Sequence, residues 1–170
     1  MAEHPEDALR ISTPQQHKAM GHPLRQRLLF CLGQPATTSQ LATALGVAKG
    51  SVGHHLKILR EAGLVHLVET RQVRGGTEQY YRRTARRLDI DDPTGGSTAA
   101  VLAGFADELT AAEGRPLMAL RHLRLTADQA RQLGAALREI TENATDAGPG
   151  HARYGILVSV YRQHGAPEDP

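Results

Sequence analysis

Cysteine is almost absent from this chain of 170 residues, and its scarcity mostly excludes. With Cys31 alone there is no intrachain disulfide and no CxxC or CxC metal pair. Cys31 sits among Leu28, Leu29, Phe30 and Leu32, so it reads as a core thiol rather than a redox sensor or metal ligand. No apolar run approaches the ~20 residues that a membrane helix needs. The opening stretch MAEHPEDALR is acidic and polar, unlike a signal peptide, and a cytoplasmic location is expected. Also missing are a nucleophile with a base at recognisable spacing, a phosphate-binding glycine loop and a paired-carboxylate motif. Neither an enzyme nor a cofactor is expected.

With 40% hydrophobic residues, the chain can hold one globular domain, or one domain with a smaller appendage. Its net charge of +2 hides a segregation. Residues 1–43 carry four Lys/Arg and three Asp/Glu, residues 44–87 nine and three, and residues 88–170 seven and twelve. A polyanion such as DNA is therefore drawn to the middle of the chain and repelled by its last part.

That basic middle overlaps the stretch Thr37 to Val65, TTSQLATALGVAKGSVGHHLKILREAGLV, which has the pattern of two helices joined by a tight turn and followed by a strand. Leu41, Ala42, Leu45, Val47, Val52, Leu56 and Leu59 recur at helical spacing around a break at Gly46, so both helices can share a core and leave another face free. Thr37 and Gln40 have capping-box spacing, which starts the first helix near Thr38, and Gly63 stops the second. The free face carries Lys49, Ser51, His54 and Lys57. Two helices crossing at a glycine-containing turn, the second with a basic outer face, form the arrangement that places a helix in the DNA major groove. The alternative is an ordinary helical hairpin with a solvated face.

Residues 1–12 read as a flexible arm. Ser12 or Thr13 can cap a helix with Pro14 at its first position, and Gly21, His22 and Pro23 interrupt it. A second helix runs from Pro23 to about Leu32 with Leu24, Leu28, Leu29 and Leu32 inward. After the central pair, LVHLVET and TEQYYRR flank RQVRGG, which reads as a hairpin with Arg71 and Arg74 near its tip. Either arginine could grip a phosphate there, the alternative being solvated side chains on a flexible loop.

His22-Pro23-Leu24-Arg25, Ser39-Gln40-Leu41-Ala42, the run from His54 to Val65 (HHLKILREAGLV) and Tyr80-Tyr81-Arg82 together resemble the ArsR family of bacterial winged helix-turn-helix transcription regulators. The resemblance covers roughly residues 14–87. It implies a homodimer on a two-fold related operator that represses until a signal arrives, with the hairpin as the wing. It also implies a recognition helix from about Ala48 to Ala62, with Lys49, Gly50, Ser51, Gly53, His54 and Lys57 at DNA-reading positions, and Thr38, Ser39 and Gln40 at the preceding helix start. Ser51 and His54 could then reach base edges, while Lys49 and Lys57 grip phosphates. His55 points about 100° away from His54, which suits packing under the helix with a satisfied ring nitrogen better than a metal clamp.

The chain departs from the family pattern at the start of that helix. Ala48 stands where Ser or Thr is usual, forgoing a cap worth ~1 kcal/mol. Gly50 and Gly53 each weaken the helix by ~1 kcal/mol relative to alanine. Close backbone approach to the duplex would account for these glycines, and tolerated drift is the alternative. Many relatives sense metals, but the stretch Thr37-Thr38-Ser39-Gln40 lacks a cysteine pair, and residues 97–144 hold only His122, without carboxylate-and-histidine spacing. No metal site is expected.

Residues 88–96, LDIDDPTGG, read as a linker. Ser97 can cap a helix to Glu113, with Val101, Leu102, Phe105 and Leu109 on one face; the resemblance makes it a dimer seam packed on the opening helix, and intrachain packing is the alternative. PLMALRHLRL reads as a strand. A helix capped by Thr126 and Gln129 comes next, with a stripe of Ala130, Leu133, Leu137, Ile140 and Ala144, and YGILVSVY after Gly148-Pro149-Gly150 reads as a buried strand.

The expected architecture is α+β and mainly helical, with a flexible arm at 1–12, a winged helix-turn-helix domain at 13–87, a linker at 88–96 and a C-terminal dimerisation or extension region at 97–170. That last region comprises a helix and a small strand-helix-strand unit. The expected function is a dimeric DNA-binding regulator, most simply a repressor on a palindromic operator, that does not sense metal. Its expected partners are double-stranded DNA and a second copy, with any small-molecule effector unspecified and no membrane. The rival is a winged-helix protein-interaction module without sequence-specific DNA binding. The Lys49, Lys57, Arg71 and Arg74 cluster weighs against it, because protein interface cores are depleted in lysine.

Overall fold

The computed structural model describes residues 6–91, 96–148 and 150–162. Chain contacts divide it into two units, Met1–Leu117 and Met118–Pro170. In the first, β1 (Glu6–Ile11) leads into α1 (Pro14–Met20) and α2 (Pro23–Cys31), then a short β2 (Ala36–Thr37), α3 (Thr38–Leu45), α4 (Lys49–Glu61), β3 (Val65–Val73), β4 (Gly76–Arg83), β5 (Ala85–Ile90) and α5 (Gly96–Thr110). The second unit holds α6 (Ala127–Asn143). Three helices around a core, succeeded by an antiparallel hairpin, make a winged helix-turn-helix.

Local chemistry sets the helix ends. Thr13 caps α1 with a reciprocal Gln16 contact and Pro14 at the first position, as its sequence pattern predicts. His22 caps α2: its Nδ1 accepts from the Leu24 N–H at 3.1 Å. Gly46, at φ 65°, ends α3, with the Val47 N–H donating to the Ala42 carbonyl at 3.1 Å. Gly63, at φ 72°, does the same after α4, where the Leu64 N–H donates to the Leu59 carbonyl at 2.9 Å. Two left-handed glycines thus bound the second helix of the motif and turn the chain into the wing.

Leu28, Leu29, Leu32, Leu41, Val52, Leu56, Leu59 and Leu64 form the core, with Ala42, Leu45 and Val47 packed at its edge. β2, β4 and β3 form an antiparallel sheet in that order. An irregularity between Leu67 and Glu69 shifts the wing's register. The strands continue to Val73 and Gly76, so the turn is only Arg74 and Gly75, and Arg71 lies within β3 rather than in the turn. Gly75, at φ 107°, takes a conformation that a side chain would resist.

Several sequence expectations need correction. Glu6–Ile11 is not a loose arm: β1 pairs in parallel with β5, Glu6 opposite Ala85 and Ile11 opposite Ile90, and Ile11 is fully buried. Leu88–Ile90 accordingly belongs to that strand, not to a linker. A parallel partner some eighty residues away leaves no local signature, since parallel strands are joined by long crossovers. The parts of those expectations at residues 1–5 and 92–95 lie outside the described residues, as does Pro149 of the later break.

Ser97 lies inside α5 rather than at its cap, and its hydroxyl is 2.8 Å from His17 Nδ1 on α1. α5 packs on α1 and α2, with Ala100 buried and Leu102 about half exposed. At Gly104 an added Cβ would come within 2.7 Å of Gln26 Cβ, so glycine is what lets α5 approach α2 so closely. The side-chain amide of that buried Gln26 donates to the Met20 carbonyl at 2.5 Å.

In the second unit α6 begins at the expected Thr126–Gln129 capping box. The flanking stretches 116–125 and 154–161, expected as strands, carry no regular secondary structure. A strand exists only through a ladder to a neighbour, and among the described residues neither stretch pairs with another. Among the described residues, no helix is long and apolar enough to cross a membrane.

Candidate nucleic-acid interface

The surface with the expected site residues is built on α3, α4 and the wing. Thr37 serves both β2, where it faces Tyr80 of β4, and α3, where its hydroxyl accepts from the Gln40 N–H at 3.2 Å. The Gln40 side-chain carbonyl accepts in return from the Thr37 N–H at 2.8 Å, so that oxygen is committed to holding the helix start. Thr38 is half-buried, and Ser39 and Gln40 are exposed.

α4 buries Val52, Leu56 and Leu59 and turns its other side outward. Lys49, Gly50, His54 and Lys57 are exposed, and Ser51 and Gly53 are half-buried. Ala48 supplies no side-chain cap, as its chemistry requires. A Cβ added at Gly50 or Gly53 would meet nothing within 4 Å. Packing among the described residues therefore gives no reason for either glycine, while the helix loses ~1 kcal/mol at each. Lys57 lies 3.9 Å from Glu61 in an exposed pair one turn on, which is worth little.

The wing's two arginines differ. Arg71 is held by Glu69, Nε to Oε1 at 2.5 Å and a second nitrogen to Oε2 at 2.8 Å, with its guanidinium 4.7 Å from the centre of the Tyr80 ring. The hydrogen bond from Arg71 holds the Glu69 carboxyl below its ordinary value, and Glu69 raises that of Arg71. Two of the three Arg71 guanidinium nitrogens are thus engaged by Glu69. Arg74 is exposed at the turn, with no hydrogen bond or ion pair to the described residues.

Between α4 and β4 lies an open cleft of about 270 Å³, lined by Gly53, Leu56, Lys57, Arg60, Gln79 and Tyr81. Sequence reasoning passed over Arg60. Its spacing of three from Lys57 was the available signal, since residues three apart share a helix face. His55 is half-buried beneath the helix, with Nδ1 3.4 Å from Arg25, in line with the packing role expected from its angle to His54. Among the described residues, no group of three or more His, Cys, Asp or Glu side chains is placed to hold a metal ion.

Residues 20–68 match the helix-turn-helix domain family. That span runs from the end of α1 through α2, α3 and α4 into β3, and so includes both helices of the site. A solved structure, that of the transcriptional repressor BigR from Xylella fastidiosa, is similar at 22% identity with a TM-score of 0.34, over 58% of this chain and 84% of that one. No curated protein matches. The helix-turn-helix is a module that reads DNA by laying its second helix in the major groove. Here that second helix is α4, and its exposed side carries Lys49, His54, Lys57 and Arg60.

Proposed function

We propose that the protein is a sequence-specific DNA-binding transcription regulator of the ArsR type, acting as a dimeric repressor on a palindromic operator without sensing metal. The observation that carries this reading is the outward face of α4, which combines basic and small residues; the wing turn separately exposes an arginine. On this reading Ser51 and His54 contact base edges, while Lys49, Lys57 and Arg74 contact phosphates. Thr38, Ser39 and Gln40 lie at the start of α3, where backbone amides favour a phosphate. Arg71, partly neutralised by Glu69, contributes less than Arg74.

Dimerisation would place two α4 helices about one turn of DNA apart, 34–36 Å. The acidic last part of the chain is repelled by the duplex, which leaves the contacts to the basic middle. No residue set resembling the family's metal sites is present in the sequence, so the signal is assigned to another chemistry.

A gel-shift series with duplexes tiling the DNA that flanks the protein's own coding region tests the proposal. One fragment should bind far more tightly than the rest, with log K falling by ~0.9 per phosphate contact as log salt rises. Equal weak binding to every duplex, with no protected site, would sink it. Lys57→Ala should lower the salt slope by ~1 while leaving the sequence preference intact.

A further inference from the structure

Three helices meet at one polar corner beneath α4. Arg25, in the first turn of α2, donates from Nε to the Ala19 carbonyl and from a terminal nitrogen to the Lys18 carbonyl at 2.8 Å. Both are among the last carbonyls of α1, which have no partner within their own helix. A further Arg25 nitrogen lies 3.4 Å from Nδ1 of His55 on α4. The His55 ring lies 4.5 Å, centre to centre, from that of His22, the residue that caps α2, and 5.3 Å from that of His54.

Arginine has only donors and keeps its charge at any physiological pH, so the His55 nitrogen facing it presents a lone pair. Adding a proton there would set N–H against N–H and one positive charge against another. The groups acting on His55 are His22 and Arg25 from the α2 end and His54 from its own helix, and α1 contributes the Lys18 and Ala19 carbonyls through Arg25. None of these side chains offers a negative charge to offset a protonated His55.

We propose that His55 is a positioning residue that seats α4 on the α1–α2 corner through Arg25, and that its protonation unseats the helix, making the presentation of the α4 face proton-coupled. Burial first, then His22, Arg25 and His54, hold the His55 ring below the ordinary histidine value. The unfolded chain therefore binds the proton more readily than the folded one. The stability this contact supplies is complete above the unfolded value, about 6.5, and is lost as pH falls from there toward the folded value. Its consequence for DNA rests on the DNA-binding reading, because α4 is the helix that reading places in the groove.

The test uses the full chain without DNA. The His55 ring protons, monitored by NMR, should titrate below about 6.5, and the melting temperature should fall by at least about 2 °C from about pH 7.5 to about pH 5.5. His55→Gln keeps an acceptor for Arg25 but cannot be protonated. It should melt within about 2 °C of the wild type at the higher pH and lose less than about half as much on acidification. His54→Gln, which removes only the last of the causes acting on His55, should keep most of the wild-type loss. A His55 midpoint at or above about 6.5, or a His55→Gln protein with the full acid loss, overturns the proposal. Should His55→Gln not fold, the wild-type titration alone decides. These readouts do not involve DNA, so their failure leaves the DNA-binding reading standing, whereas failure of the gel shifts leaves this coupling standing.

Discussion

The two units of the chain hold similar apolar sequence and treat it differently. In the first, Leu28, Leu32, Leu59 and Leu64 are fully buried, because α1 to α5 and the wing face a common centre. In the second, α6 has a regular apolar stripe and the stretch 154–161 is mostly hydrophobic, yet no described residue is buried. Periodicity marks which face of an element is suited to burial; burial itself requires a second element to face it. Capping shows the same contrast. Thr37 and Thr126 form the same reciprocal box with Gln40 and Gln129, but Thr37 is buried and paired in a sheet while the Thr126 contacts are exposed.

Paired substitutions, one in each unit, put this contrast at risk, and the largest effect belongs to the core. Leu59→Ala should lower unfolding free energy by about 2–5 kcal/mol in urea titrations, whereas Leu133→Ala, at a residue 39% exposed, should change it by less than about 1 kcal/mol. Equal losses would mean that the α6 stripe is covered in solution.

The helical glycines come next. Gly104→Ala should destabilise by about 1–3 kcal/mol because its methyl group meets Gln26, while Gly134→Ala in α6, with open space around it, should stabilise by up to about 1 kcal/mol. Gly50→Ala combined with Gly53→Ala should raise stability by about 2 kcal/mol and weaken operator binding in gel shifts. Operator binding as tight as the wild type would make these two glycines equivalent to Gly134 and remove the close-approach explanation.

Caps give the smallest effect. Thr37→Ala should lose about 1 kcal/mol in thermal unfolding and Thr126→Ala about half of that, while Ala48→Ser should gain about 1 kcal/mol by supplying the cap that α4 lacks. A gain from Ala48→Ser with unchanged DNA affinity would show that the missing cap plays no part in binding.

Much of the first unit was legible because its signals are local. Thr37 and Gln40, Gly46, Gly63 and the spacing of Val52, Leu56 and Leu59 each act within a turn or two of chain, and each lies where its chemistry puts it. The β1–β5 pair escaped because two short segments carry weak patterns and gain their stability only from each other across the fold. Among site residues, the outward positions of Lys49, His54 and Lys57 come from helix geometry. The engagement of Arg71 by Glu69 and Tyr80 does not, because it depends on strands that run farther and turn later than the residue types indicate.

Residue order alone was enough to specify a pair of capped helices with a basic outer face, a hairpin after them and an uncapped, glycine-bearing start to the second helix. These arise from backbone preference and side-chain period, which need only neighbouring residues. Three other features were settled by packing: the first described residues close a parallel strand pair, Gly104 brings α5 onto α2, and Arg25 joins α1, α2 and α4 at His55. Each of those contacts unites groups far apart in the chain, and only a shared core brings them within reach of one another.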